Sequence, residues 1–376
     1  MPLLSLSLDQ LRSRTSLKWH TFEPDVLPMW VAEMDVAMHP AVAEAVAAAI
    51  TRGDTGYPYG TAYAEAFAAM ASHRWEWHLD ATAQVRRAGD VMNSILAVLE
   101  ACTAPGDHVV INPPVYPPFR QVIAGYRRSI TEAPLAASGR LDLDALEAAF
   151  AGPDAPRAYL LCSPHNPTGV VHTEDELIAV MELADRFGVR VIVDEIHAPL
   201  LDPGAEFVPL LGVPGGEDAV CVTSAGKSWN LAAFKAGLII AGSEATHLLR
   251  ELPPLAQQST GHFANLAHTA ALLSAQEWVD ELMVEIAANK RLLAAELAAK
   301  LPGAAYSPAE GTYLAWVDCS ALGLKDPAQH FLEQGRVAFS PGANFAREHQ
   351  QWVRVNLACS PDLVVEGVAR MAASLT

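Results

Sequence analysis

No uninterrupted apolar run in this chain reaches the roughly 20 residues that a bilayer-spanning helix needs. The opening, MPLLSLSLDQLRSRTSLKWH, also lacks a basic stretch followed by a long apolar core, so it does not read as a secretory signal. Cysteine is scarce: Cys102, Cys162, Cys221, Cys319 and Cys359 are scattered, odd in number and without a CxxC pair. They read as small buried apolar residues in a reducing compartment, not as a disulfide framework. Basic runs are missing too. With 25 basic against 43 acidic residues the net charge is −18, a field that repels both nucleic acid and an anionic membrane surface. These absences predict a cytoplasmic protein whose anionic ligands must be captured by local donors.

What the chain does have is length and apolar content. At 376 residues, with 51% hydrophobic and 18% charged residues, it suits one large α/β domain with a smaller partner. HPAVAEAVAAAITRGD (39–54) places Val42, Val46 and Ile50 on one helical face. SILAVLEACTAPGD (94–107) reads as a helix stopped by Pro-Gly, and the short apolar strand HVVINPP (108–114) follows it. The alternation repeats through AYLLCSPHNPTG (158–169), the helix 173–188 and the strand VRVIVDEIH (189–197). AVCVTSAGK (219–227) and AGLIIAG (236–242) add two more strands. Continuous apolar strands separated by helices predict a mostly parallel sheet buried on both faces.

A long helix is predicted over roughly 274–301, with Trp278, Leu282, Ile286, Leu293, Leu297 and Leu301 near one stripe. GTYLAWVDCS (311–320) and WVRVNLACS (352–360) read as strands of a smaller α+β domain. The expected division is an N-terminal segment (1–50) packing with the small domain, a large domain (51–283) and a small C-terminal domain (284–376).

In an open parallel sheet, ligands bind beyond the carboxyl ends of the strands. Four polar stretches fall at such ends: NPPVYPPF (112–119), SPHNPTG (163–169), DEIH (194–197) and TSAGK (223–227). Taken singly, NPTG is a common turn, Tyr116 an aromatic wedge among prolines, and His197 a histidine satisfied in a core. Together they gather Asn166, Asp194, His197, Ser224 and Lys227 around one crevice, which turn chemistry does not require. In TSAGKSWNLAAFKAG (223–237), Lys227 and Lys235 are the only charged residues, which reads either as two solvated lysines beside a tight Gly/Ser turn or as one covalent catalyst and one anion-holding group.

These motifs resemble those of fold-type I pyridoxal-5′-phosphate (PLP) enzymes of the class I/II aminotransferase superfamily. More narrowly, LPMWVAEMD and VYPPF resemble the MalY/PatB group of cystathionine β-lyases, or cysteine-S-conjugate β-lyases. NPTG, the aspartate followed by histidine three residues on, and S-x-x-K mark only the superfamily. The resemblance extends over nearly the whole chain, with two departures. Glu33 stands where the group more often has Asp, and Gly226 stands where Ser is usual.

The resemblance implies that Lys227 forms the Schiff base with the cofactor and then serves as general base. It also implies that Asp194 faces the pyridine nitrogen, that Asn166 and His197 serve the ring 3-oxygen, and that Tyr116 stacks on the ring. The catalytic set is thus Lys227, Asp194 and Tyr116. Ser224, Lys235 and the helix start at Met92 and Asn93 would hold the phosphate, joined by Tyr57 of a neighbouring subunit in a homodimer with shared sites. Arg354 would bind the substrate carboxylate, with Ala32 and Asn166 beside it, and no metal is implied. The expected reaction is β-cleavage of a small sulfur amino acid. An aminotransferase, and a PLP-binding regulatory protein with little turnover, are the alternatives.

Overall fold

The structure, a computed structural model, describes residues 2–375. Twelve strands are distributed over three sheets. In chain order they are β1 (Leu27–Pro28), β2 (Val85–Ala88), β3 (His108–Ile111), β4 (Ser129–Glu132), β5 (Ala158–Cys162), β6 (Arg190–Asp194), β7 (Val220–Thr223), β8 (Gly237–Ala241), β9 (Leu314–Asp318), β10 (Val337–Ala338), β11 (Ser340–Pro341) and β12 (Trp352–Asn356).

The main sheet has seven strands in the order β2-β8-β7-β6-β5-β3-β4. The pairings among β7, β6, β5, β3 and β4 are parallel, while β8 runs antiparallel to both β7 and β2. Both faces are buried. In β5, Tyr159 and Leu161 enter one hydrophobic cluster, and Ala158, Leu160 and Cys162 enter the cluster on the opposite face. Val191 and Val193 in β6 alternate with Ile192 in the same way. A two-residue period with both faces covered is why these strands read as continuous apolar runs.

The sequence reading did not identify β2 and β4. Both lie at the edges of the sheet, and VRRA and SITE carry partly exposed polar residues at their centres, so neither shows an apolar run. The predicted helix at 94–107 spans Val91–Cys102. It starts earlier because Asp90 caps it, accepting from the Asn93 N–H, and it ends before the Pro-Gly pair. The long helix predicted over roughly 274–301 is Gln276–Lys300, and a separate helix that the sequence reading did not identify, His262–Ser274, precedes it across Ala275. Trp278 is only partly buried and packs edge-on against His39, whereas the polar residues Asn289 and Lys290 are fully buried. Asn289 donates to the carbonyls of Leu357 and Cys359, and Lys290 Nζ donates to Asp202 at 2.7 Å. The 25-residue helix is therefore a polar pin as well as an apolar one.

A second sheet, β11-β12-β9, forms with the helices Pro327–Glu333 and Pro361–Ala373 around a third hydrophobic cluster. The N-terminal segment joins this part of the chain, since β1 pairs in parallel with β10 (Leu27 with Val337, Pro28 with Ala338). Among the described residues no helix is long and apolar enough to cross a membrane.

Candidate active site

The order β7-β6-β5-β3 sets four carboxyl ends side by side, and each leads into one of the polar stretches. Because β8 runs antiparallel, it begins at that same edge, with Leu238 opposite Thr223. Its approach, residues 235–236, therefore lies where β7 ends. Strand β2 is antiparallel to β8 and ends there too, with Ala88 opposite Gly237, so the chain passes through Asp90 into the helix Val91–Cys102. Strand direction brings Lys235 and that helix start to the crevice.

A cavity of about 200 Å³ opens at this edge. Lys227, Asp194, Asn166, His197, Tyr116 and Arg354 all line it, as do Ala32, Met92, Ser224 and Lys235. Two expected residues do not. Asn93 is turned towards the helix cap, its backbone N–H and its side-chain amide both donating to Asp90 Oδ1, at 2.8 and 2.9 Å. Tyr57 is 96% exposed, on the loop before the helix Ala62–Trp75.

Asp194 ends β6 and is buried, with one hydrogen bond from the Ile196 N–H at 3.0 Å and no ion pair within 4 Å among the described residues. Burial raises its carboxyl pKa from 3.8 to about 7. A buried carboxylate with one donor suits a cationic N–H facing it from the cavity. Lys227 is partly buried, and its Nζ donates to the Ala32 carbonyl at 2.9 Å. Loss of solvation, with the nearby positive charges of Arg354 and Lys235, brings this amine down from 10.5 to about 8. A substantial neutral fraction is then present near neutral pH, as a nucleophilic or basic amine requires.

Arg354 reaches the cavity from β12. Its Nη1 donates to Asn166 Oδ1 at 3.0 Å, and its Nη2 donates to the Trp30 carbonyl and to Ser340 Oγ. Burial lowers the guanidinium to about 10, and its Nε has no partner. A buried, incompletely satisfied guanidinium is a receptor for a planar anion such as a carboxylate. Since Asn166 Oδ1 accepts from Arg354, its amide NH₂ is left for another acceptor. His197 is buried with Nδ1 unpartnered, and desolvation holds it neutral, at about 3.

At the other end of the cavity, Lys235 Nζ lies 3.3 Å from Asp90 Oδ2, with its side chain 67% exposed. Ser224 Oγ donates to the Ala236 carbonyl and accepts from the Gly226 N–H. A lysine, a hydroxyl and the positive end of the helix Val91–Cys102 are the groups that could hold an anion at this corner. The Asp90 carboxylate, which sequence reasoning missed, is balanced there by Lys235.

Behind the lysine turn, the His268 Nε2–H donates to the Phe234 carbonyl at 2.9 Å. His268 Nδ1 is then an acceptor, so the Tyr63 hydroxyl donates to it at 3.1 Å while accepting from the Ala225 N–H at 3.4 Å. This buried pair holds both flanks of the 225–234 segment and left no sign in the local sequence. Trp30 is not on the cavity wall and packs edge-on against Phe22, ring centroids 5.7 Å apart.

Comparison with known proteins follows the same lines. The model of the family described as "Aminotransferase class I and II" matches residues 24–371. The chain is 46% identical over 394 residues to a "Putative cystathionine beta-lyase" of Mycobacterium leprae, covering 100% of this chain and 98% of that one. It is 31% identical to "Cystathionine beta-lyase PatB" of Bacillus subtilis, covering 94% and 93% of the two chains. A crystal structure described as a putative PLP-dependent β-cystathionase from Corynebacterium diphtheriae superposes with a TM-score of 0.93 at 30% identity, over 98% of both chains.

Proposed function

Because the chain belongs to the aminotransferase class I and II family, we propose that its site is that of a PLP-dependent carbon–sulfur β-lyase. L-cystathionine, or another cysteine S-conjugate, is cleaved with water to a thiol, pyruvate and ammonia. The observation that carries this reading is a single cavity in which the Lys227 amine, lowered to about 8, lies with the buried Asp194 and Arg354.

The residues present fit pyridoxal 5′-phosphate. Asp194 is a buried carboxylate in need of a cationic partner, Asn166 has a free amide donor, and the corner of Lys235, Ser224 and the helix start takes the phosphate. Tyr116 supplies an aromatic face on the cavity wall. When bound, the cofactor is an electron sink for the charge left as the substrate Cα loses its proton. The rest belongs to the protein. Arg354 grips the α-carboxylate and orients the amino acid, and Lys227, once its amine is free, takes the Cα proton. Asp194 holds positive charge at the ring nitrogen, and His197, neutral and desolvated, serves the ring oxygen beside Asn166. The β-thiolate is the leaving group.

The same reading makes the protein a homodimer in which Tyr57 completes the partner's phosphate corner, since a tyrosine 96% exposed is free to reach another chain. It divides the chain into the segment 1–50, a large domain (51–283) and a small domain (284–376), supported by the β1–β10 pairing. A cytoplasmic setting suits five cysteines that form no disulfide.

The test is turnover of L-cystathionine and S-alkyl cysteines without added keto acid. Thiol, pyruvate and ammonia should appear in equal amounts through many cycles. Turnover that stops after one equivalent and resumes only with a keto acid would identify an aminotransferase instead.

A further inference from the structure

Asn230 stands three residues beyond Lys227 and is not part of the cavity wall. Its backbone is in the left-handed region, φ 55°. It completes a turn in which the Trp229 and Leu231 N–H groups donate back to the carbonyls of Ala225 and Gly226. Its side chain grips one residue from the other end of the sequence. Oδ1 accepts from the Met34 N–H at 2.9 Å, and Nδ2 donates to the Met34 carbonyl at 3.0 Å. These two partners decide which end of the amide is oxygen.

Two demands meet at this position. A left-handed backbone is tolerated, outside glycine, best by asparagine and aspartate. A two-point grip on one residue's N–H and C=O needs a donor and an acceptor together on a short side chain. Aspartate meets the first demand and lacks the donor. Glutamine has both groups but not the left-handed preference. Asparagine meets both.

Met34 lies in a strap, residues 30–36, whose carbonyls are held one after another. Arg354 and Ser340 hold that of Trp30, Lys227 and Tyr313 that of Ala32, and Lys18 and Asn356 that of Glu33. Among the described residues, Asn230 is the one side chain besides Lys227 itself whose hydrogen bonds tie the strap to the lysine turn. It acts two residues away from the carbonyl that receives the amine.

We propose that Asn230 is a positioning residue for Lys227. By clamping Met34 to the lysine turn it keeps the Ala32 carbonyl within hydrogen-bond reach of the amine, so the freed amine has a fixed place from which to take and return a proton. The proposal rests on the reading of Lys227 as the proton carrier, which lyase and aminotransferase chemistry share.

Asn230→Gly is the decisive variant, because glycine keeps the left-handed backbone and removes only the clamp. Asn230→Asp keeps the backbone and one bond but sets a carboxylate against the Met34 carbonyl. In the holoenzyme, two readouts are needed: amide hydrogen exchange of residues 31–36, and the rate and half-saturation of Cα–H exchange of a bound amino acid with deuterated solvent. In both variants the strap amides should exchange at least about tenfold faster while the core strands are unchanged. The Cα–H exchange rate should fall roughly 10- to 100-fold, as misplacement of a reacting group by about 1 Å does. Half-saturation should move by less than about threefold, because Arg354 keeps its own contacts to Asn166 and Ser340. Unchanged strap protection overturns the clamp. A loosened strap with an undiminished Cα–H rate, or a change confined to half-saturation, overturns the positioning of Lys227. An enzyme that exchanges Cα–H yet releases no thiol would remove the lyase reading and leave this inference standing.

Discussion

Arg354 Nη1 donates to Asn166 Oδ1 at 3.0 Å, joining strand β12 of the small sheet to the loop that follows β5 of the large one. In the proposed site, the group that would bind the substrate carboxylate is thereby tied to one that would serve the cofactor ring, so the two binding events would share one hydrogen-bonded pair.

Arg354→Lys should therefore harm substrate capture most. An ammonium keeps the charge and loses the two-point grip on a carboxylate. We expect kcat/KM to fall roughly 100-fold, mostly through KM, given about 1.5–3 kcal/mol for a charged hydrogen bond. Steady-state kinetics with L-cystathionine provides the check, and an unchanged KM would remove Arg354 from the carboxylate site.

Asp194→Asn should leave the cofactor bound and slow loss of the Cα proton by about 10²–10³, the usual scale for removing one preorganised charge from a site. Single-turnover measurement of Cα deprotonation is the direct assay. Wild-type rates in the variant would mean that the ring nitrogen needs no carboxylate.

Borohydride reduction of the holoenzyme followed by peptide mapping should place the cofactor on Lys227. Lys235 is paired with Asp90 and mostly exposed, a placement that suits holding an anion at the cavity edge and not carrying the cofactor. Label on Lys235 instead of Lys227 would reverse the assignment of the two lysines.

The lowered amine of Lys227 predicts a pH effect on stability in the cofactor-free protein. With the pKa at about 8 in the fold and 10.5 as the reference, the unfolded chain binds more protons between these values, so wild-type stability rises with pH across that window. Below pH 8 the cost of the desolvated ammonium is fully present. Lys227→Met removes it and should be more stable than wild type near neutrality by up to about 3 kcal/mol. The gap should close towards about pH 10. Urea unfolding of both proteins at the two ends of the window measures it, and a gap that widens with rising pH would show that the fold favours the charged amine.

Tyr57→Ala and Lys227→Ala should complement each other. In the proposed homodimer each variant alone would be impaired at both sites, whereas a mixed dimer would hold one intact site. Mixing followed by subunit exchange should restore part of the activity. If exchange is demonstrated and activity stays at the level of the separate variants, Tyr57 serves its own chain or none.

The parallel core and most of the site were legible in the sequence because their physics is local. Strands β3, β5, β6 and β7 are buried on both faces, so they appear as apolar runs, and the residues just past their carboxyl ends must gather at one edge. Asn166, Asp194, His197, Ser224 and Lys227 could be grouped on that ground, and they line one cavity; the roles proposed for them came from the resemblance. The edge strands β2 and β4 were hidden because half-exposed positions tolerate Arg, Ser and Thr, which erase the apolar run. The antiparallel direction of β8 could not be read at all, since a strand's side-chain period is the same in either direction, yet that direction is what delivers Lys235 and Asp90 to the cavity. The strap was equally silent. The hydrogen bond from Lys227 to Ala32 and the grip of Asn230 on Met34 join residues 195 and 196 positions apart. A polar contact of that span is made by the packing of the N-terminal segment against the lysine turn, and it imposes no spacing on either stretch of sequence.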